Sequence, residues 1–265
     1  MKTFYFFYSK TNTFTPQPFI QMRISVLLFI SCLFVTSFVQ SQKVSVTYSG
    51  YPINGNTKKD SSIAAFLSTY RDSVSKSMNV VIGFSVSGLT KHQPESGLGN
   101  FMCDGLKNIG EKVFGQHIDA AFVNYGGVRS YLPKGNITVG NIFELMPFDN
   151  IMVLQRVKGD SLLSFLNHIA DKNGWPLTGI TMAIKDKKAA NVLIDGKPIS
   201  ADSTYTIANS DYVANGGDNT NMLKVFPKIS KGYLIRDALL AYVKLLTDAG
   251  QSIDAKIEKR IVYAN

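Results

Sequence analysis

Two glycine-bearing segments and one aromatic segment carry the side chains best suited to hold a small polar ligand. Asn124-Tyr125-Gly126-Gly127-Val128-Arg129 follows a short apolar run. Glycine lets a backbone approach a ligand closely or adopt positive φ. Asn124 offers a donor and an acceptor to the edge of a heterocycle, and Arg129 offers a planar fork of donors to an anion. Read alone, the same residues are a tight turn with a solvated arginine. The second segment is Ser210-Asp211-Tyr212-Val213-Ala214-Asn215-Gly216-Gly217-Asp218. Tyr212 presents a flat ring for stacking, and Asp218 accepts hydrogen bonds from sugar hydroxyls. On its own this segment reads better as a turn with a capping or solvated acid. Phe148, in Leu145-Met146-Pro147-Phe148-Asp149-Asn150, is either a core residue, the usual fate of phenylalanine, or the second face of an aromatic clamp.

These segments need a scaffold, and hydrophobic periodicity outlines one. Residues 43–49 alternate Val, Val and Tyr with polar neighbours and predict a strand. Ile63, Phe66, Leu67, Tyr70 and Val74 fall on one helical face. Asn79 to Val86 reads as a buried strand. Leu98, Phe101, Met102, Leu106, Ile109 and Val113 predict a second helix that Gly115 ends. Ile118 to Val123 is a strand running directly into Asn124, and Ile151 to Val157 is another. A helix capped by Asp160 or Ser161 follows, then two strands within 180–200, a strand at Tyr205 to Ala208, a helix from Gly232 to Ala249 and a last strand from Ile257 to Tyr263. Strands and helices mix without regular βαβ alternation, so the expectation is one α+β domain over residues 42–265.

In their order along the chain, "NYGGVR", "ELMPFDN" and "DYVANGGD" resemble the pattern of the 5'-nucleotidase C-terminal domain. Glu95-Ser96-Gly97-Leu98-Gly99-Asn100 is similar to its earlier "LGN" turn, which opens a helix. The likeness spans about residues 80–225. It implies a single mixed α/β domain of that type, belonging to a hydrolase family of nucleotide catabolism. It also implies that a base would lie between Phe148 and Tyr212, that Asp218 would hold the ribose, that Asn124 would lie near base or sugar, and that Arg129 would face the phosphate. Two departures stand out. The family usually has Phe where this chain has Tyr212. It also carries a phosphate-contacting arginine just before the "LGN" turn, whereas no arginine lies between Arg71 and Arg129; Lys91 and His92 are the available substitutes.

Full-length members of that family add a metallophosphoesterase domain whose two metals activate water. Its signatures, Asp-x-His, Gly-Asp-x-x-Asp and Gly-Asn-His, are missing from this sequence. None of His92, His117 and His168 follows an Asp by two residues, and no Gly-Asn pair precedes a histidine. The expectation is therefore no catalytic residue and no cofactor in this chain, with divalent metals only on a partner metallophosphoesterase, and no hydrolysis by the chain alone. Three readings remain: the recognition half of a split phosphohydrolase that takes a nucleotide or nucleoside, a stand-alone nucleoside-binding protein, or a structural remnant.

The composition agrees with a globular protein: 265 residues, 45% hydrophobic and 18% charged, with a formal net charge of +9. The lysines are scattered and form no basic arm, which argues against a nucleic-acid partner. Met22-Arg23, the apolar run Ile24 to Val39 and the small-residue site at Val39-Gln40-Ser41 form a signal-peptide pattern over residues 1–41, with Met22 as an alternative start. An exported protein, periplasmic or extracellular, with no stable membrane insertion after cleavage is expected. Beyond that segment Cys103 is the single cysteine, so no internal disulfide can support the fold.

Overall fold

The computed structural model describes residues 44–264 apart from residues 53 and 56. The signal-peptide expectation therefore lies outside the described residues. The chain divides into two compact units at the Lys59–Asp60 boundary. In the first, described residues 44–59 contain no helix or strand and are exposed. The strand expected at 43–49 does not form over 44–49, because an alternating segment without a pairing partner leaves its backbone groups to water. The second unit starts at Asp60.

The second unit begins with α1 (Ser61–Met78). Asp60 caps it by accepting from the Ser62 and Ile63 amides at 2.9 and 3.1 Å. Next come β1 (Val81–Ser85), α2 (Gly97–Phe114), β2 (Ala120–Phe122), β3 (Gly135–Thr138), α3 (Val139–Leu145), β4 (Ile151–Lys158) and α4 (Gly159–Asp171). The chain continues through β5 (Leu177–Thr178), β6 (Ile180–Lys185), β7 (Lys188–Ile194), β8 (Lys197–Pro198) and β9 (Thr204–Ser210). It ends with α5 (Asp211–Ala214), β10 (Ile229–Leu234), α6 (Ile235–Asp248) and β11 (Ile261–Tyr263). A central sheet has the order β10-β4-β9-β2-β5, and a second sheet has the order β11-β6-β7-β8; β1 and β3 form a ribbon. Helices and mixed sheets together make the α+β architecture expected from the sequence.

The central sheet separates two cores, and the period-2 alternation of its strands assigns each side chain to one of them. Ala121, Met152, Leu154 and Ala208 face a core filled by α2, α3 and α6. Ala120, Phe122, Val157 and Ile207 face the other, filled by α4 and the second sheet. α2 is the central support of the first core. Ser96 caps it by accepting from the Gly99 amide at 3.0 Å, and Gly115 ends it in the left-handed region at φ 69°. Its apolar stripe is buried from Leu98 to Ile109, Cys103 included, and burial pushes that thiol well above its usual range.

Four expectations need correction. Asn79 to Val86 is not a buried strand: β1 pairs along its length with β3 and otherwise has one bridge, Ser85 to Ile253, and Val80, Val81, Phe84 and Val86 are exposed. Neither Asp160 nor Ser161 caps α4. The Gly159 and Asp160 amides instead donate to the carbonyls of Ser203 and Ala201, so loop backbone satisfies the helix start. The last long helix starts at Ile235 rather than Gly232. Gly232 has φ 68°, and residues 229–234 pair with β4 as a strand. The final strand is limited to Ile261–Tyr263.

Candidate binding cleft

Strand register brings the motif segments together. β4 and β9 are antiparallel with Met152 opposite Ser210, so the residues preceding β4 and those following β9 leave the sheet at the same end. β2 runs parallel to β9 with Ala121 opposite Ala208, which sends Asn124 to that end as well. Asp211 ties the segments there, its Oδ1 accepting from the Ile151 amide at 3.0 Å. The Arg129 amide donates to the Leu145 carbonyl at 3.0 Å, which sets the glycine turn beside the segment carrying Phe148.

The result is a cleft of about 360 Å³ lined by Asn124, Gly126, Gly127, Arg129, Phe148, Asn150, Tyr212 and Asp218. That volume is within the range of small-molecule sites. All five residues singled out in the sequence line it. Phe148 is 41% exposed and Tyr212 45%, so neither ring is a core residue. The guanidinium of Arg129 lies 5.8 Å from the Phe148 ring centroid, and its Nη1 donates to the Gly126 carbonyl at 3.3 Å.

Asp218 is held from two sides. Asn124 Nδ2 donates to its Oδ2 at 2.7 Å, and the Tyr212 hydroxyl donates to its Oδ1 at 2.9 Å. The Asp218 amide in turn donates to the Tyr212 oxygen at 3.2 Å. Accepting that O–H, the carboxylate pushes the phenol above its usual range. Two glycines make this arrangement sterically possible. A Cβ on Gly127 would lie 2.7 Å from Asn124 Oδ1, and one on Gly217 would enter the Tyr212 ring.

Sequence reasoning gave Asn150 no role and overlooked Arg236 altogether. Arg236, at the start of α6, donates to the Phe148 carbonyl at 3.4 Å and to Asp149 Oδ1 at 2.7 Å, and lies over the Phe143 ring at 4.3 Å. It holds the backbone of the Phe148 segment from 87 residues away, a separation no local pattern can reveal. The two substitutes considered for a phosphate-contacting arginine are placed elsewhere. Lys91 donates to the Val128 carbonyl at 2.8 Å and lies over the Tyr125 ring, while His92 pairs with Thr90 Oγ1 at 2.9 Å; neither lines the cleft. Among the described residues, the one group of side chains spaced to share a metal ion is His117, Asp119 and Asp195, and it too is outside the cleft. No helix among the described residues is long and apolar enough to cross a membrane.

The pattern of the 5'-nucleotidase C-terminal domain matches residues 73–225. A 5'-nucleotidase of Vibrio cholerae is 27% identical over 198 residues, covering 71% of this chain and 35% of that protein. The trifunctional nucleotide phosphoesterase of Bacillus subtilis is 27% identical over 248 residues, covering 84% of this chain and 16% of that protein. Among solved structures, a 5'-nucleotidase precursor from Thermus thermophilus superposes with a TM-score of 0.67 at 26% identity, covering 76% of this chain and 43% of that one. The chain thus spans about a third or less of the length of these two curated relatives. With its ordered motifs gathered at one end of the central sheet, the chain belongs to the 5'-nucleotidase C-terminal domain family.

Proposed function

We propose that this chain recognises the nucleoside part of a nucleotide and works with a separate metallophosphoesterase chain that supplies the metals. The base would lie between Phe148 and Tyr212, Asp218 would accept from the ribose hydroxyls, and Arg129 would face the phosphate. The observation that carries this reading is the convergence of two exposed rings, a tethered carboxylate and one arginine in a single cleft. Stacking contributes roughly 1–3 kcal/mol per base and tolerates different bases. The leader-like segment at residues 1–41 supports an exported protein, periplasmic or extracellular.

A second reading, a stand-alone nucleoside-binding protein, is favoured by one specific feature. Among the described residues, Arg129 is the sole cationic side chain lining the cleft, since Lys91 is committed to Val128 and Tyr125. Calorimetric titration of the purified chain with adenosine and AMP tests both. The nucleotide reading predicts micromolar binding with AMP preferred, and an about tenfold loss in Phe148→Ala. Equal affinity for both ligands supports the nucleoside reading. Absence of binding to either overturns both. The purified chain with added divalent metal is expected to leave AMP intact; enzyme-like turnover would contradict the split assignment.

A further inference from the structure

We propose that the Tyr212 hydroxyl is a positioning group that sets the preference of this cleft for a ribose carrying both vicinal hydroxyls. The inference rests on the proposed recognition of a nucleoside moiety in this cleft and adds a selectivity device to it. An ionised carboxylate offers about four lone-pair positions. Asn124 takes one on Oδ2 of Asp218 and Tyr212 takes one on Oδ1. One acceptor position is left on each oxygen, side by side, which suits the two adjacent hydroxyls of a ribose. A sugar lacking them leaves both acceptors unmatched.

The phenol fixes more than the carboxylate. Asp218 sits in the left-handed region at φ 52°, a conformation that aspartate tolerates better than most residues but that still needs support from its surroundings. Its amide donates to the same Tyr212 oxygen that donates to its carboxylate. One hydroxyl thus holds both the backbone and the side chain of residue 218. The missing Cβ at Gly217 leaves room for the ring to reach that position. A phenylalanine at 212 would keep the stacking face and lose both bonds, so the two roles of the residue can be separated.

The test is calorimetry with adenosine and 2',3'-dideoxyadenosine on the wild-type chain, Tyr212→Phe and Phe148→Ala. The wild type is expected to prefer adenosine by roughly tenfold or more, the scale of hydrogen bonds to a charged acceptor. In Tyr212→Phe, dideoxyadenosine affinity stays within about twofold of wild type while the adenosine preference falls several-fold. Phe148→Ala should weaken both ligands alike and keep the preference, so a preference lost only in Tyr212→Phe is not a general loosening of the cleft. An unchanged preference in Tyr212→Phe overturns the positioning role alone. A gain in adenosine affinity also overturns it, because the phenol would then be competing with the sugar. If the wild-type chain binds neither nucleoside, the parent reading fails and the inference falls with it.

Discussion

Two regions of this protein expose apolar side chains to a similar degree, and they differ in what surrounds those side chains. On α1, Ile63, Phe66, Leu67, Tyr70 and Val74 are between 50% and 65% exposed, and no residue of the helix is buried. In the cleft, Phe148 and Tyr212 are exposed nearly as much, yet each is fixed by polar partners. Arg236 holds the Phe148 carbonyl, Asp218 takes the Tyr212 hydroxyl, and Asn124 holds Asp218. Exposed apolar area alone is common on protein surfaces. Apolar faces combined with a few convergent, pre-oriented polar groups are what mark a binding site. The stripe has the first property and the cleft has both.

Substitutions in the two regions should differ in their effects on ligand affinity. Gly217→Ala should have the largest effect. Its methyl group would enter the Tyr212 ring, disturbing stacking and the Asp218 contact together, and adenosine affinity is expected to fall roughly 30-fold by calorimetry. Arg236→Met keeps the bulk of the side chain but removes its bonds to Phe148 and Asp149. Counting only the bond that holds the Phe148 backbone, at about 1 kcal/mol, affinity should drop about fivefold. The smallest effect is expected on α1, where Phe66→Ser combined with Tyr70→Ser should leave adenosine affinity within about twofold and alter denaturant stability by less than about 1 kcal/mol. A large loss of affinity from the α1 pair, with the cleft variants silent, would reverse the assignment of the two regions.

The same contrast shows how far the sequence could be read. α1 and α2 are both 18 residues long and both carry an apolar stripe at helical spacing. Periodicity identified each helix and its apolar face, because that pattern is local. It could not reveal that the α2 face is covered by the central sheet and α6 while the described residues leave the α1 face uncovered, since cover comes from distant segments. The end of α2 was legible from Gly115, whose role depends on its own φ, whereas the cap at Ser96 was not read from the sequence. The start of α6 was not, because Tyr233 and Leu234 extend the helical pattern while pairing with β4 draws them into a strand. The motif residues were legible as a set, and register at one end of the sheet explains why they meet. The pair of hydrogen bonds between Tyr212 and Asp218 was hidden, as it depends on the left-handed turn at residue 218 and the space left by Gly217.

The proposed function requires a base stacked between Phe148 and Tyr212 with its ribose on Asp218. A crystal structure of the chain grown with adenosine is the decisive experiment. The purine is expected between those two rings, with both ribose hydroxyls within hydrogen-bond distance of the Asp218 carboxylate. Adenosine bound elsewhere while this cleft stays open, or bound here with its sugar turned away from Asp218, would contradict it.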